Sequence, residues 1–584
     1  MRPIFAIFVI RNRIATSQML KENYIKIFEE SFKKNWNKPA LHDYISGHES
    51  TYEQMCLSIA RHHILFKYMD ISQGDRIALC GKNSSRWAVT YMAAITYGAV
   101  IVPILDEFTP NDITHIINHS ESRLLFCDEE IFDRLNPKDL PSVKGVLALE
   151  TRWALWQPEG GKFKRVIASI NAHFKRLYPD GFAPDNVKYA DRGNDQLAVI
   201  SYTSGTTSLT KGVMISGNAL TGNVLFGIDN YERILGKKLV ATLCVLPLSH
   251  TYATAFNLLV QLASGARITM LGRIPSPNIV IKACKETKPT ILCFVPLVME
   301  KIYKVKIAPV IKKPLVSALL KTPVIGSLMY NAIGRKLYAE LGGSAYDIII
   351  GGAAFNPDIE AFFHKTGLPF TVGYGMTECA PLISYSYHKQ FVPGSVGRPL
   401  PGLMEVRIDK ETPDAPTGEI MVKGENVMLG YYKNEEATSA AFTGDGWMHT
   451  GDLGYMDADD NIFIKGRSKT MLLGSNGENI YPEVIESKLD NLPLVAECIV
   501  LQKGTRLIAL VHPDYPTAEQ MRLDKAKIPQ IMNDNLKTLN SMLARYEQIS
   551  SILISENPFP MTPKRTVKRY LVEKAFAERP SDFK

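Results

Sequence analysis

"LAVISYTSGTTSLTKGVMIS", residues 197–216, begins as a short apolar run, breaks into hydroxyls around Gly205, and turns apolar again after Lys211 and Gly212. A run as short as "LAVISY" bounded by turn residues reads as a buried strand. A loop leaving such a strand projects its backbone N–H groups from the sheet edge toward a ligand. Thr203, Ser204, Thr206 and Thr207 add hydroxyl donors, Gly205 and Gly212 permit positive φ and close approach, and Lys211 adds a full charge. Many donors, little bulk and one cation suit a polyphosphate. The loop is not a Walker A sequence, because Thr210 stands where the glycine before the lysine belongs and Gly212 where Ser or Thr should follow. It is not G-x-G-x-x-G either, and on these residues alone an exposed polar turn is an equal reading.

On the N-terminal side, from Asp75, short apolar runs alternate with longer mixed ones: "RIALC", Ser84 to Gly98, "VIVPIL", Asn111 to Ser120, "RLLFC" and "GVLAL". Buried strands separated by helices indicate a parallel sheet. A second series is expected to begin at Leu197. It runs through "LVATLCVLP", a helix from Ala253 to Ala263, "RITML", a helix from Pro277 to Lys288 and "TILCFVP". A long basic and apolar helical region over 297–341 then leads to "YDIIIGG", a helix from Pro357 to Thr366 and "PFTVGYG". The expected fold is therefore α/β, with two doubly wound layers and ligands at the carboxyl ends of the strands. After Pro393 come glycine-rich short strands forming a small β-rich subdomain, and after Lys469 a smaller α+β unit with "AECIVLQKGTRLIALV" as a hairpin. The boundaries read from this are an N-terminal extension over 1–19, a large domain over 20–468 and a small C-terminal domain over 469–584.

Composition sets the outer limits. The 584 residues, 46% apolar and 22% charged, bury a large core. The net charge of +8 falls short of the bias expected of a nucleic-acid binder but suits anionic ligands or lipid surfaces. Eight cysteines without a Cys-x-x-Cys pair read as reduced core residues, implying a cytoplasmic protein. The apolar run from Pro3 to Ile10 is cut by Arg11 and lacks a cleavage site, so export is not expected. No apolar window reaches the roughly 18–20 residues that cross a bilayer, so membrane contact would be peripheral, at the inner face. His115 and His119 have helical i, i+4 spacing but lack the glutamate of H-E-x-x-H, and read as structural or surface residues.

The order of motifs then decides the loop. "YTSGTTSLTKG" is followed by "LPLSHTYA" at 246, "GGAAF" at 351, "GYGMTE" at 373, "TGDLGY" at 450 and "GRSKTMLLGSNGENIYPEVIE" at 466. This resembles the adenylate-forming superfamily of acyl-CoA synthetases, firefly luciferase and peptide-synthetase adenylation domains, over nearly the whole chain from about residue 20. Within it, "VPLVMEKIYKVKI" and the helical segment before "LGGSAYDIIIGGAAF" are most similar to long-chain fatty acid–CoA ligases.

The resemblance implies a two-step reaction. A fatty acid carboxylate attacks the α-phosphate of ATP and releases pyrophosphate; the CoA thiol then attacks the acyl-adenylate and releases AMP. It implies that Thr203 to Thr207 and Lys211 cradle the β- and γ-phosphates, with Thr206 counted as catalytic, and that Glu378 binds Mg²⁺ while Thr377 donates to the α-phosphate. Tyr374 would stack on adenine opposite Gly352 and Ala353. Asp452 would accept from ribose hydroxyls, with Arg467 on ribose or phosphate. Lys469 falls at the hinge about which the small domain turns, Gly477 on the pantetheine tunnel, and His250 near the acyl carboxylate.

The sequence departs from the family at four positions. Ser208 and Thr210 replace a glycine and a proline in the loop. In "PMTPKRTVKRYL", Thr562 and Arg569 match the T-x-x-G-K-x-x-R arrangement, but Arg565 stands for the glycine and Thr566 for the lysine. Lys564 and Lys568 lie two residues either side, and on an extended segment they would share its face. Two alternatives to a CoA ligase follow: acyl transfer to an acyl-carrier protein, and a non-catalytic acyl or nucleotide binder.

Overall fold

The computed structural model describes residues 20–203, 211–234, 236–473, 479–504, 506–561 and 567–583. Two large sheets dominate. The first has eight strands in the order 430–431, 211–216, 197–203, 100–104, 76–80, 124–127, 146–148, 154–156. Its centre is parallel, with Arg76 opposite Val100 and Ile77 opposite Leu124. The second has seven strands in the order 370–372, 347–350, 291–294, 241–244, 267–270, 39–43, 48–51, parallel except for the last.

The strand Leu197–Thr203 does not open the second sheet, as chain order suggested. It pairs in parallel with 100–104 through Ile101 and Val199 and completes the first sheet. The second sheet instead takes in Pro39–Asp43, from before the first βα series, which aligns Leu41 with Ile268. Periodicity identifies a strand; it carries no information about which of two equally apolar sheets will accept it.

The helices between these layers are apolar on every side because both faces are covered. In Ser85–Tyr97 every residue but Arg86 and Tyr97 is buried. The Ser84 hydroxyl caps its start by accepting from the Trp87 N–H at 3.2 Å, and Gly98 ends it at φ +85°. Gly217–Ile228 packs against the helices Tyr24–Lys34 and Val260–Ala263. At Gly222 a Cβ would come within 2.3 Å of the Asn426 side-chain oxygen, so only glycine lets this helix approach.

The helix expected from Ala253 starts at Thr251 and widens into an i→i+5 turn over Thr254–Leu259. Such turns are common beside functional sites. The region over 297–341 is not one helix. Prolines at 309, 314 and 323 restart the chain, giving Pro296–Ile302, a wide turn Tyr303–Ile307, Ala308–Ile311, Pro314–Leu320 and Pro323–Glu340.

Beyond these layers, strands 374–375, 382–385 and 398–399 form one small sheet, and 404–409, 418–424, 448–456 and 462–467 another. The C-terminal unit packs helices Pro482–Leu489, Ile528–Ser541 and Arg569–Glu578 on a sheet of 495–503, 506–513 and 549–554. All eight cysteines are free and buried.

Candidate functional site

The loop 204–210 lies outside the described residues, and with it Ser204, Gly205, Thr206, Thr207, Ser208 and Thr210. Its two ends are fixed. Leu197–Thr203 and Lys211–Ser216 are antiparallel neighbours, and Thr203 faces Lys211 across the ladder. Gly212 sits in this strand without a positive φ; its glycine is required by crowding, since a Cβ would meet Ile200 Cγ2 at 3.0 Å and the Tyr202 ring at 3.1 Å. The positive φ expected at Gly212 is therefore absent, and what crowds it is the side chains of the neighbouring strand.

Strand 430–431 extends the same edge, with Tyr431 opposite Val213. Its ring lies beneath the Lys211 ammonium, 4.7 Å from Nζ to the ring centre. Its hydroxyl donates to Glu378 Oε1 at 3.0 Å. Burial and the nearby Glu378 carboxylate push the Tyr431 phenol up, so it stays a donor. Oε2 of Glu378 has no hydrogen bond among the described residues. The backbone is held too: Glu378 sits in the turn Thr377–Cys379, and its carbonyl accepts from Met428 N–H at 2.8 Å. The sequence reading missed Tyr431, since "GYYKN" has no spacing that marks a tyrosine as part of a site.

A second group lies upstream in the same segment. Tyr374 is 7% exposed, and its hydroxyl donates to Asp452 Oδ2 at 2.6 Å. Asp452, also buried, takes Arg467 Nε on its other oxygen at 3.1 Å, the two residues being paired across antiparallel strands. Burial raises the Asp452 pKa, while Arg467 and the Tyr374 hydroxyl work against that rise. Each carboxylate oxygen keeps one lone pair, which matches acceptance from two neighbouring hydroxyls. Gly352 and Ala353 are exposed at the carboxyl end of strand 347–350, Gly352 at φ +90°.

His250 is partly buried and precedes the helix starting at Thr251, with its carbonyl accepting from the Thr254 hydroxyl at 3.0 Å. Ser249 before it and Thr251, Thr254 and Ala255 after it line a small cavity with Ala380, Val199 and Tyr91. His119 hydrogen-bonds Tyr202 at 2.8 Å and stacks on His115, and no His, Cys, Asp or Glu cluster able to hold a metal occurs among the described residues.

Lys469 is exposed in the turn after strand 462–467, between the large layers and the C-terminal unit. Few polar bonds cross there: Thr417 with Tyr481 at 3.1 Å, Asn356 to the Ser487 carbonyl at 2.9 Å, and Lys304 to the Asp490 carbonyl at 3.0 Å. Gly477, Thr562, Lys564, Arg565 and Thr566 lie outside the described residues. The chain on either side of 562–566 closes through a bridge between Met561 and Val567, so Lys568 stands beyond that bridge, at the start of Arg569–Glu578. Arg569 is anchored on the partly buried Glu486 and on the Val500 carbonyl at 2.7 Å.

The arrangement suits a nucleotide triphosphate. One carboxylate with a free oxygen is what Mg²⁺ takes from a protein when substrate phosphates supply its other ligands, so this donor set fits that ion.

Comparison with known proteins agrees with the geometry. The family model for AMP-binding enzyme matches residues 28–432, and that for the AMP-binding enzyme C-terminal domain matches 469–580. The chain is 27% identical over 556 residues to a long-chain-fatty-acid–CoA ligase of Mycobacterium bovis, covering 87% of this chain and 88% of that protein. It is 26% identical over 562 residues to the peroxisomal long chain acyl-CoA synthetase 7 of Arabidopsis thaliana, covering 87% and 77%. Among solved structures, ATP-bound MatB from Rhodopseudomonas palustris superposes with a TM-score of 0.71 at 25% identity, covering 95% of this chain and 99% of that one. An anthranilate CoA ligase in complex with anthranoyl-AMP shares the fold with a TM-score of 0.75 at 20% identity, covering 96% and 98%.

Proposed function

Given that the chain belongs to the AMP-binding enzyme family, we propose that it activates a long-chain fatty acid with ATP and passes the acyl group to CoA. The observation that carries this reading is the convergence of Lys211, Tyr431 and Glu378 at the base of the hydroxyl-rich loop. In the first step a carboxylate oxygen bonds to the α-phosphorus and the bond to the pyrophosphate oxygen breaks. Negative charge moves onto the leaving group, and Lys211 is positioned to stabilise it. Tyr431 holds the Glu378 carboxylate by one oxygen and leaves the other directed to a cation. Glu378 is the residue that would hold Mg²⁺, which when bound would supply charge neutralisation there.

Asp452, kept in place by Tyr374 and Arg467, fixes the nucleoside through its ribose, with Tyr374 and the Gly352–Ala353 backbone flanking the base. Thr377 serves the α-phosphate, and His250 the carboxylate of the acid. In the second step the CoA sulfur bonds to the acyl carbon and AMP leaves with the electron pair of the acyl–oxygen bond. Turning of the C-terminal unit about Lys469 separates the two steps. The proposal sets this reaction in the cytoplasm, where unpaired cysteines stay reduced.

Thr566 at the expected lysine position favours a second reading, in which the protein binds acyl group and nucleotide without turnover. AMP release measured across a panel of fatty acids, with and without CoA, tests the proposal. Release that depends on both a long-chain acid and CoA is the expected result. Nucleotide binding with no AMP formed from any acid would leave the second reading standing. Release with an acyl-carrier protein in place of CoA would move the acceptor and keep the first step.

A further inference from the structure

The helical segment that follows strand 291–294 carries a surface that the chemistry above does not use. Six of the eighteen large hydrophobic side chains exposed among the described residues lie between Val305 and Leu328. Leu315 and Val324 are each 73% exposed and Leu328 is 63% exposed. Exposed apolar residues scattered singly are ordinary, but a concentration of them on one protrusion is not.

The same segment is one-signed in charge. Between Glu300 and Glu340 there is no acidic residue. Lys306, Lys312, Lys313, Lys321, Arg335 and Lys336 are all exposed, and none makes a salt bridge among the described residues.

The geometry explains why this surface stands out. The C-terminal half of Pro323–Glu340 is locked to the body: a Cβ at Gly334 would come within 2.0 Å of the Thr366 carbonyl oxygen, and Leu337 is buried. Its N-terminal half turns back on Pro314–Leu320, with Gly326 so close that a Cβ would lie 2.5 Å from the Leu320 carbonyl oxygen. This hairpin presents Leu315 from one helix and Val324, Ile325 and Leu328 from the other, with Lys312, Lys313 and Lys321 at its turns.

We propose that this hairpin docks on a bilayer containing anionic lipids, its apolar side chains entering between headgroups and its lysines lying on the phosphate layer. No helix of the described residues is long and apolar enough to cross a membrane, so the segment lies on the surface rather than spanning it. A second copy of the chain is a poor occupant, because the face would meet its own positive charge. Dispersed negative charge around apolar chains is what the face complements. The segment leaves strand 291–294 through Val295, whose Cγ1 lies 3.6 Å from the Cβ position of Gly352, so the segment that carries the hairpin starts beside the candidate site.

The test is flotation of the full-length protein with phosphatidylcholine vesicles, with and without phosphatidylglycerol, at low and high salt. The expected result is at least about tenfold stronger binding to the anionic vesicles, lost at high salt. Lys312→Glu/Lys313→Glu/Lys321→Glu should remove that preference, with binding about 100-fold weaker or more on the roughly additive effect of basic residues near an anionic surface. Leu315→Ser/Val324→Ser/Leu328→Ser should weaken binding by about tenfold or more, since apolar contact supplies the remaining attraction. All these residues are exposed, and exchange of labelled pyrophosphate into ATP with a water-soluble acid reports whether the variants stay folded and competent. That assay is independent of the vesicles, so loss of chemistry and loss of docking are separable. The proposal falls if the wild-type protein ignores anionic vesicles, or if both variants float as it does. It falls equally if the serine variant alters the oligomeric state and leaves flotation unchanged.

Discussion

Replacing Tyr431 by phenylalanine isolates the contact on which the candidate site turns. The ring beneath Lys211 stays, and with it the cation–π contact at 4.7 Å; only the hydroxyl that donates to Glu378 Oε1 at 3.0 Å is removed. A hydrogen bond to a charged acceptor contributes about 1.5–3 kcal/mol. Glu378 is partly exposed, so water takes up part of the loss and about 1–1.5 kcal/mol remains, a factor of roughly five to ten. The deficit should fall on cation use, because the freed carboxylate must be reoriented each time a metal-bearing nucleotide arrives.

The assay is carboxylate-dependent exchange of labelled pyrophosphate into ATP over a magnesium titration. Tyr431→Phe should need five to ten times more Mg²⁺ for half-maximal exchange, approach the wild-type rate at saturation, and keep its ATP affinity. Tyr431→Leu, which also removes the ring, should lose ATP affinity in addition. A Tyr431→Phe profile that overlies the wild type, or one that shifts to lower Mg²⁺, would refute the reasoning. The first outcome would mean that the hydroxyl orients nothing, and the second that it competes with the cation.

Glu378→Ala should abolish exchange at every magnesium concentration while leaving the melting temperature within a few degrees of wild type; a retained rate would remove Glu378 from metal binding. Lys564→Ala and Lys568→Ala, made separately, report whether either stands in for the residue expected at 566. A fall in exchange of about 100-fold in one variant and not the other, by analogy with other charge-stabilising donors, is expected if one lysine takes that role. Equal activity of both variants would count against any lysine from this segment.

Acid should destabilise the fold through two neighbouring imidazoles. Burial holds His62 at about 4 and His63 at about 3, against 6.5 in the unfolded chain. The unfolded state therefore takes up protons first, and this stability is complete above pH 6.5 and declines as pH falls toward 4 and 3. Both rings retain some exposure, so by pH 5 the loss is about 1–2 kcal/mol for each. Urea midpoints at pH 7.5 and 5.0 measure it, and His63→Gln, keeping a partner for the Thr96 hydroxyl, should remove about half of the difference. An unchanged pH dependence would show that His63 titrates normally in the fold.

Much of the fold could be read from the chain because local pattern and local structure share a cause. Ser84 and Gly98 bracket a helix in the sequence and cap one in the fold; "AECIVLQKGTRLIALV" folds as the hairpin its alternation suggests. What sequence order could not supply was sheet membership. Leu197–Thr203 and Pro39–Asp43 each lie in the sheet opposite to the one that chain order suggests. Both sheets offer buried parallel neighbours, Ile101 for Val199 in one and Ile268 for Leu41 in the other, so an apolar run by itself does not choose between them. The choice is made by connections among distant elements, for which hydrophobic pattern carries no term.

The site divides along a similar line. Lys211 stood out because a cation beside glycines and hydroxyls in an apolar chain is chemically conspicuous, whereas Glu378 and Asp452 were singled out only by the resemblance of "GYGMTE" and "TGDLGY" to motifs of a known family. Tyr431 did not, since a tyrosine at a strand end has an adequate packing explanation and its reach to Glu378 crosses 53 positions of sequence. The Lys211 expectation also gains content from this contact. A lone ammonium on a loop would sample many directions, whereas one resting on the face of a tyrosine that also holds the Glu378 carboxylate has a preferred direction. Loop, cation and carboxylate are thus coupled through one aromatic ring. A perturbation of that ring should therefore alter magnesium use and nucleotide affinity by separable amounts, as the phenylalanine and leucine replacements are designed to reveal.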